Sequence, residues 1–138
     1  MIGNMCRLLC RKKIDIMINE MKQILIVDDE RDVREILRDF FKMQGYEVLV
    51  AEDGQNALDT FNSNKPDAAI VDIQMPVMDG IKFSKKVLKK NCKFPIIMIT
   101  GYVEKYSFDD LIGIGVKDVL KKPIDLHILK SKVQQWIN

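Results

Sequence analysis

From residue 22 onward, short apolar runs alternate with segments of helical period. Gln23 to Val27 is a largely β-branched run that stops at Asp28-Asp29-Glu30, which predicts a buried strand arriving at an acidic turn. Val33, Ile36, Leu37, Phe40 and Phe41 then recur at helical spacing until Gly45, giving a helix with one apolar face and a glycine stop. The unit repeats. Glu47 to Ala51 reads as a strand, and Ala57, Leu58 and Phe61 mark a helix face that ends before Lys65-Pro66. Asp67 to Val71 is a third strand, ending at Asp72. Pro76 and Asp79-Gly80 make 74–80 a loop, and Ile81 to Lys90 returns to helix. Pro95 to Ile99 is a fourth strand, ending at Thr100-Gly101. A weaker helix is expected around Tyr106 to Ile112, broken by Gly113 and Gly115, before a short fifth strand from Asp118 to Leu120 that ends at Lys121-Lys122-Pro123. Leu126, Leu129, Val133 and Trp136 place a last amphipathic helix.

Five strands alternating with five helices predict an α/β fold, a parallel sheet covered on both faces. Residues 1–21, with Cys-Arg-Leu-Leu-Cys-Arg-Lys-Lys, match no element and are read as a flexible N-terminal extension, which leaves 22–138 as one domain. Met21 directly precedes the first strand, where a later start would remove the extension.

Composition narrows the classes. A chain of 138 residues suits one compact domain, and 47% hydrophobic with 30% charged residues is that of a globular protein. The net charge of +2 resides in the extension, since the remaining residues carry 18 basic and 18 acidic side chains. A neutral body gives no electrostatic basis for nucleic acid as the main partner, so direct DNA binding is not expected. Cys6, Cys10 and Cys92 form an odd set that makes no disulfide framework, which fits a reducing, cytoplasmic setting. No apolar run approaches the roughly 18 residues that cross a bilayer, and residues 1–19 lack the pattern of a secretory signal; neither membrane nor export is expected.

The candidate chemistry lies at strand ends, the place where open parallel sheets gather it. Asp28 and Asp29 end the first strand, Asp72 the third and Thr100 the fourth, and Lys122 follows the fifth. No glycine-rich phosphate loop follows the first strand, which argues against dinucleotide or P-loop binding. Three carboxylates meeting in one cleft repel one another, by roughly 4 kcal/mol per pair at about 4 Å and an effective dielectric near 20. Protonation or a hard divalent cation relieves this, and Mg²⁺ with oxygen ligands and retained waters fits best. The set then reads as a phosphoryl-transfer site. Asp72 is the expected nucleophile, Asp28 and Asp29 hold the metal directly or through water, and the Gln74 carbonyl adds a ligand. Lys122 and the Thr100 hydroxyl bind phosphoryl oxygens.

Four stretches carry a resemblance over Lys22 to Asn138. They are Ile24-Leu25-Ile26-Val27-Asp28-Asp29-Glu30, the run from Val71-Asp72-Ile73-Gln74 through Asp79-Gly80, Ile97-Met98-Ile99-Thr100-Gly101, and Lys121-Lys122-Pro123. Together they resemble the receiver domain of bacterial two-component response regulators. The resemblance implies a flavodoxin-like fold with strand order 2-1-3-4-5 and a phosphoryl donor that is a sensor histidine kinase or histidine phosphotransfer protein. It also implies a switch that moves the face of the fourth helix, fifth strand and fifth helix toward a downstream protein target. Family members usually carry Tyr or Phe three residues before the lysine, where this chain has Val119, and Gly101 and Ile124 replace a common alanine and phenylalanine. Tyr102 and Gln74 occupy positions at which the family tunes autodephosphorylation.

With 15 residues after Pro123, used by the last helix, the expectation is a stand-alone phosphoacceptor that signals by protein contact, with no enzymatic activity beyond its own phosphotransfer and autodephosphorylation. Competing readings are a phosphorylation-independent binding scaffold and, less well fitted, an aspartyl-phosphate phosphatase, whose Asp-x-Asp spacing Asp28-Asp29-Glu30 lacks. The lysines at 82, 85, 86, 89, 90 and 93 are read as a solvated face. His127 is read as a surface residue, Tyr106 and Trp136 as packing residues, and lipidation of Cys6 or Cys10 is not expected.

Overall fold

Apolar side chains that alternate along each strand need cover on both faces, and in the computed structural model, which describes residues 21–75, 78–101 and 106–137, they have it. The elements are β1 (Gln23–Val27), α1 (Arg31–Met43), β2 (Glu47–Ala51), α2 (Gly54–Asn64), β3 (Ala68–Asp72), α3 (Gly80–Lys90), β4 (Ile96–Thr100), α4 (Phe108–Ile114), β5 (Asp118–Lys121) and α5 (Leu126–Ile137). All strand pairs are parallel, in the order β2-β1-β3-β4-β5. Pro76, Tyr102, Cys6 and Cys10, singled out above, lie outside the described residues.

Two cores follow from the strand period of two. Ile24, Ile26, Ile70, Ile97 and Ile99 face Leu37 and Phe41 of α1 and Leu129 and Val133 of α5. Leu25, Val27, Val71 and Met98 face Ala57 of α2, Phe83, Val87 and Leu88 of α3, and Leu111 of α4. β1, β3 and β4 are buried almost throughout, as inner strands of a doubly covered parallel sheet must be.

The starts of α2, α3 and α4 are fixed by short polar side chains. Asp53 Oδ1 accepts from Asn56 N–H at 2.8 Å, Asp79 Oδ1 from Lys82 N–H at 2.8 Å, and Ser107 Oγ from Asp110 N–H at 3.0 Å. Two expectations are corrected in detail. β3 and β4 run one residue further, so Asp72 and Thr100 are the last strand residues. α4 starts after the Ser107 cap and tolerates Gly113; Gly115, at φ +116°, is the residue that ends it.

Trp136 is not a core residue. It is about one-third exposed, and Lys117 Nζ lies 5.4 Å from its ring centroid, a cation–π contact at the end of α5. His127 is exposed, as expected, with its N–H donated to Asp125 Oδ1 at 2.9 Å. Among the described residues, no helix is long and apolar enough to cross a membrane.

Ser84 on α3 is fully buried and, among the described residues, its hydroxyl has no hydrogen-bond partner. An unbonded buried hydroxyl costs about 1–3 kcal/mol. Ser84→Ala is therefore expected to raise stability by about 1 kcal/mol, read as a higher urea midpoint at unchanged slope. A loss of stability would show that the hydroxyl is bonded after all.

Candidate functional site

Because β1 and β3 are neighbours in parallel register, Val27 opposite Val71, their chain exits leave the sheet side by side. Asp28 and Asp72 are thereby brought together at the carboxyl edge, and the carboxylate oxygens of Asp28, Asp29 and Asp72 lie within 4.8 Å of one another. Asp28 is 2% exposed and Asp72 4% exposed, whereas Asp29 is open to solvent. The strand order puts β5 two places from β3, and Lys122 reaches back across β4. Its Nζ stands 3.2 Å from Asp28 Oδ2, 3.2 Å from Asp72 Oδ2 and 3.6 Å from Glu30 Oε1.

Local hydrogen bonds hold the acids in place. Asp28 Oδ1 accepts from Glu30 N–H at 2.8 Å, and Asp72 Oδ1 from Gln74 N–H at 3.2 Å. The Arg34 guanidinium donates to the Asp28 carbonyl at 2.7 Å, tying the acidic turn to α1. Glu30 occupies the N-cap position of α1 but makes no side-chain cap, its carboxylate being turned toward Lys122.

The chain after β3 folds over the site. Gly80 N–H donates to the Ile73 carbonyl at 2.9 Å, and a Cβ on Gly80 would collide with the Asp72 carbonyl oxygen and Val71. Gly54 N–H donates to the Met78 carbonyl at 3.1 Å, where a Cβ would collide as well. Glycine is needed at both points because two backbones meet there. The resulting cleft, about 550 Å³, is lined on its acidic side by Asp29, Glu30, Asp72 and Asp79, with Gln74, Met75, Gly101, Tyr106 and Lys122 among the other walls.

Of the residues picked out in the sequence, Asp28, Asp29, Asp72 and Lys122 converge, and Gln74 lines the cleft. Thr100 is close by in the sheet, 5% exposed, with its carbonyl accepting from Lys122 N–H at 2.9 Å; the adjacent Gly101 is the residue that lines the cleft. Val119 pairs in register with Met98 and packs on the α2–α3–α4 side of the sheet. Glu30, Arg34, Gly54, Gly80 and Tyr106 were not predicted as site residues. The acidic triplet hints at Glu30, but the glycine contacts are long-range and carry no local signal.

The electrostatics are those of an overcrowded anionic site. Burial, and then the charge of Asp72, push the Asp28 carboxyl up to about 6, against the opposing pull of Glu30 N–H and Lys122. Burial likewise raises Asp72, with Asp29 adding to the shift and Lys122 and Gln74 N–H opposing it. Burial pulls Lys122 down, but Asp28 and Asp72 outweigh it and hold the ammonium above its ordinary range. One ammonium cannot neutralise three carboxylates. Hard oxygen donors at this separation, two of them buried and short of positive charge, fit a small divalent cation such as Mg²⁺.

The sequence pattern of the response regulator receiver domain matches residues 24–134. The chain is 39% identical over 115 residues to the regulatory protein AtoC of Escherichia coli, covering 83% of this chain and 25% of that protein. It is 34% identical over 115 residues to the alkaline phosphatase synthesis transcriptional regulatory protein PhoP of Bacillus subtilis, covering 82% of this chain and 47% of that one. The chain thus spans between a quarter and a half of the length of these curated relatives. Among solved structures, the Vibrio cholerae chemotaxis protein CheY4 superposes with a TM-score of 0.78 at 30% identity, covering 84% of this chain and 98% of that one. A CheX–CheY–BeF3–Mg complex from Borrelia burgdorferi matches with a TM-score of 0.78 at 26% identity, covering 84% of this chain and 87% of the matched one.

The raised Asp28 carboxyl has a definite pH signature. A carboxyl whose folded value lies near 6 and unfolded value near 3.8 favours the folded state below 3.8 and loses that contribution as pH rises through 6. In metal-free protein, Asp28→Asn should therefore match wild-type stability near pH 3.8 and exceed it by about 2–3 kcal/mol at pH 7.5. Urea denaturation in the presence of chelator at both pH values measures this, and a pH-independent difference would refute the assignment.

Proposed function

The chain belongs to the response regulator receiver domain family, and from that premise we propose that it accepts a phosphoryl group on Asp72. The observation that carries this reading is the buried Asp72 carboxylate, 3.2 Å from the Lys122 ammonium and within 4.8 Å of Asp28 and Asp29 just after β1. It is a nucleophile placed between a fixed cation and a cation-binding set.

In the proposed step, an Asp72 carboxylate oxygen attacks the phosphorus of a phosphohistidine in line with the departing ring nitrogen. The O–P bond forms, the P–N bond breaks, and the imidazole takes up a proton from solvent. Lys122, already aimed at Asp72, remains beside the incoming phosphoryl oxygens and offsets their charge. Asp28, Asp29, Asp72 and the Gln74 carbonyl would hold Mg²⁺, which when bound supplies positive charge to those oxygens. Thr100, at the end of β4, is assigned to the phosphoryl oxygens, and Gln74 and Tyr102 to control of water access. Attack of water on phosphorus later breaks the O–P bond, releases inorganic phosphate and regenerates the carboxylate; the protein is read as a phosphoacceptor whose only chemistry is its own phosphotransfer and autodephosphorylation.

The donor is a sensor histidine kinase or histidine phosphotransfer protein. An apolar groove of about 270 Å³, lined by Val33, Ile36, Leu37, Pro123 and Ile124 beside Lys122, is read as the docking place of that donor. The Borrelia relative, solved with CheX, BeF3 and Mg, supports both the cation and readout by a protein. Output is read as contact with a downstream protein in the cytoplasm.

Incubation with acetyl phosphate and Mg²⁺ should add the mass of one phosphoryl group in a base-labile linkage, and Asp72→Asn should abolish the adduct. Chelation of Mg²⁺ should slow its formation at least about tenfold, a barrier change of about 1.4 kcal/mol or more. A full-mass adduct on Asp72→Asn, or no adduct on wild type, would overturn the proposal.

A further inference from the structure

Helix α3 carries Lys82, Lys85, Lys86, Lys89 and Lys90, followed by Lys93, and all six are exposed. The helix has no acidic residue. Among the described residues, no carboxylate pairs with any of the six ammonium groups; Lys90 Nζ donates to Asn62 Oδ1 at 2.7 Å instead. A face kept only for solubility mixes the two signs. This one does not, and it repels itself at every i,i+3 and i,i+4 pair along the helix. Lys89 and Lys90 gain from the helix dipole, but Lys82 stands in the first turn, where the dipole opposes it. Without these six residues, the 22–138 body would have twelve basic and eighteen acidic side chains, so positive charge is concentrated on α3 while the remainder is anionic.

The row ends at a notch of about 320 Å³ between the C-terminal ends of α2 and α3. Its floor is the edge-to-face pair Phe61 and Phe94, with centroids 5.0 Å apart, and its rim is Lys65, Lys90, Asn62 and Asn91. Two helix C-termini disfavour an anion inside the notch, whereas the aromatic floor and cationic rim suit an aromatic side chain.

From this juxtaposition we infer that α3 is a docking face for an acidic peptide segment of a partner protein, with carboxylates along the lysine row and one aromatic residue anchored in the Phe61–Phe94 notch. Lys82 to Lys90 spans about 12 Å at 1.5 Å per residue, which matches a short segment. A DNA duplex or an anionic membrane extends well beyond that length and meets the acidic remainder of the surface. The face is separate from the Asp72 chemistry, and either assignment can fail without the other.

The test uses the full chain and a fluorescein-labelled peptide of about ten alternating Glu and Asp residues with one Trp near its end, followed by fluorescence anisotropy. Saturable binding in the micromolar range is expected, weakening as salt is raised. The Lys82→Gln/Lys85→Gln/Lys86→Gln/Lys89→Gln variant should bind at least about tenfold more weakly while its urea midpoint falls no lower than wild type, relief of the lysine repulsion tending to raise it, and while it keeps its acetyl phosphate adduct. Removing the Trp from the peptide should weaken wild type several-fold but leave the Lys65→Gln/Lys90→Gln variant little changed. Unaltered affinity in the four-lysine variant would overturn the proposal. So would tighter binding to a duplex of about 20 base pairs, or to phosphatidylserine vesicles, than to the peptide.

Discussion

Everything at the carboxyl edge of the sheet depends on holding like charges closer together than they would choose. Asp28, Asp29 and Asp72 share a space within 4.8 Å, two of them buried, with Lys122 as the fixed counter-charge. At effective dielectrics suited to such sites, each carboxylate pair at about 4 Å repels by roughly 4 kcal/mol. The fold sustains this because the cost falls on a few side chains, while two apolar cores with β1, β3 and β4 between them stabilise the backbone that carries them. Stored repulsion is also what makes the site receptive. A divalent cation would relieve it, and under the proposed function an incoming phosphoryl group would be tolerated only where positive charge is already in place.

Geometry follows from topology. Parallel strands send all their carboxyl ends to one edge, and the reversal in strand order between β1 and β3 opens a gap there that no crossover covers. Lys122 comes from the far strand β5, so the site is assembled from three separate parts of the chain, and only the folded sheet has the ammonium near the acids. Gly80 and Gly54 then let the loop after β3 close down on Asp72 with no side chain between the backbones. The missing N-cap of α1 belongs to the same trade. Glu30 leaves the helix end unsatisfied by its side chain and joins the anionic side of the cleft.

Much of this was legible in the sequence because the signals were local. The strands at 23–27 and 47–51 match their apolar runs, and Asp28, Asp29, Asp72 and Lys122 are each the first polar residue, or nearly so, after such a run. What was not legible depends on distant chain segments. Gly113 looked like a helix breaker, yet a glycine with ordinary helical dihedrals is only weakly unfavourable, and the stop needed the left-handed φ of Gly115. Trp136 fitted the apolar period of α5, but it stays about one-third exposed while its neighbour Ile137 packs on the core, and Lys117 lies over the ring instead. Gly80 read only as a turn residue, because its contact with the Asp72 carbonyl exists only once β3 and α3 are packed.

The distribution of charge has a consequence that the neutral total hides. A polar molecule with an acidic cleft at one edge and a lysine row leading away from it along α3 does not present an averaged surface to its neighbours. The N-terminus of α3 begins at Asp79, which lines the cleft, so cationic row and anionic site meet at one helix end. Over such distances, about a Debye length in physiological salt, the two fields are felt together by a ligand lying along α3. A cation bound in the cleft would remove negative charge there and make the adjoining row more attractive to an anionic segment. Adding a phosphoryl group would reverse that change. If the proposed cation and the proposed acidic segment both bind, the two occupancies would be coupled through this field, each by reciprocity favouring the other, although neither assignment depends on the other.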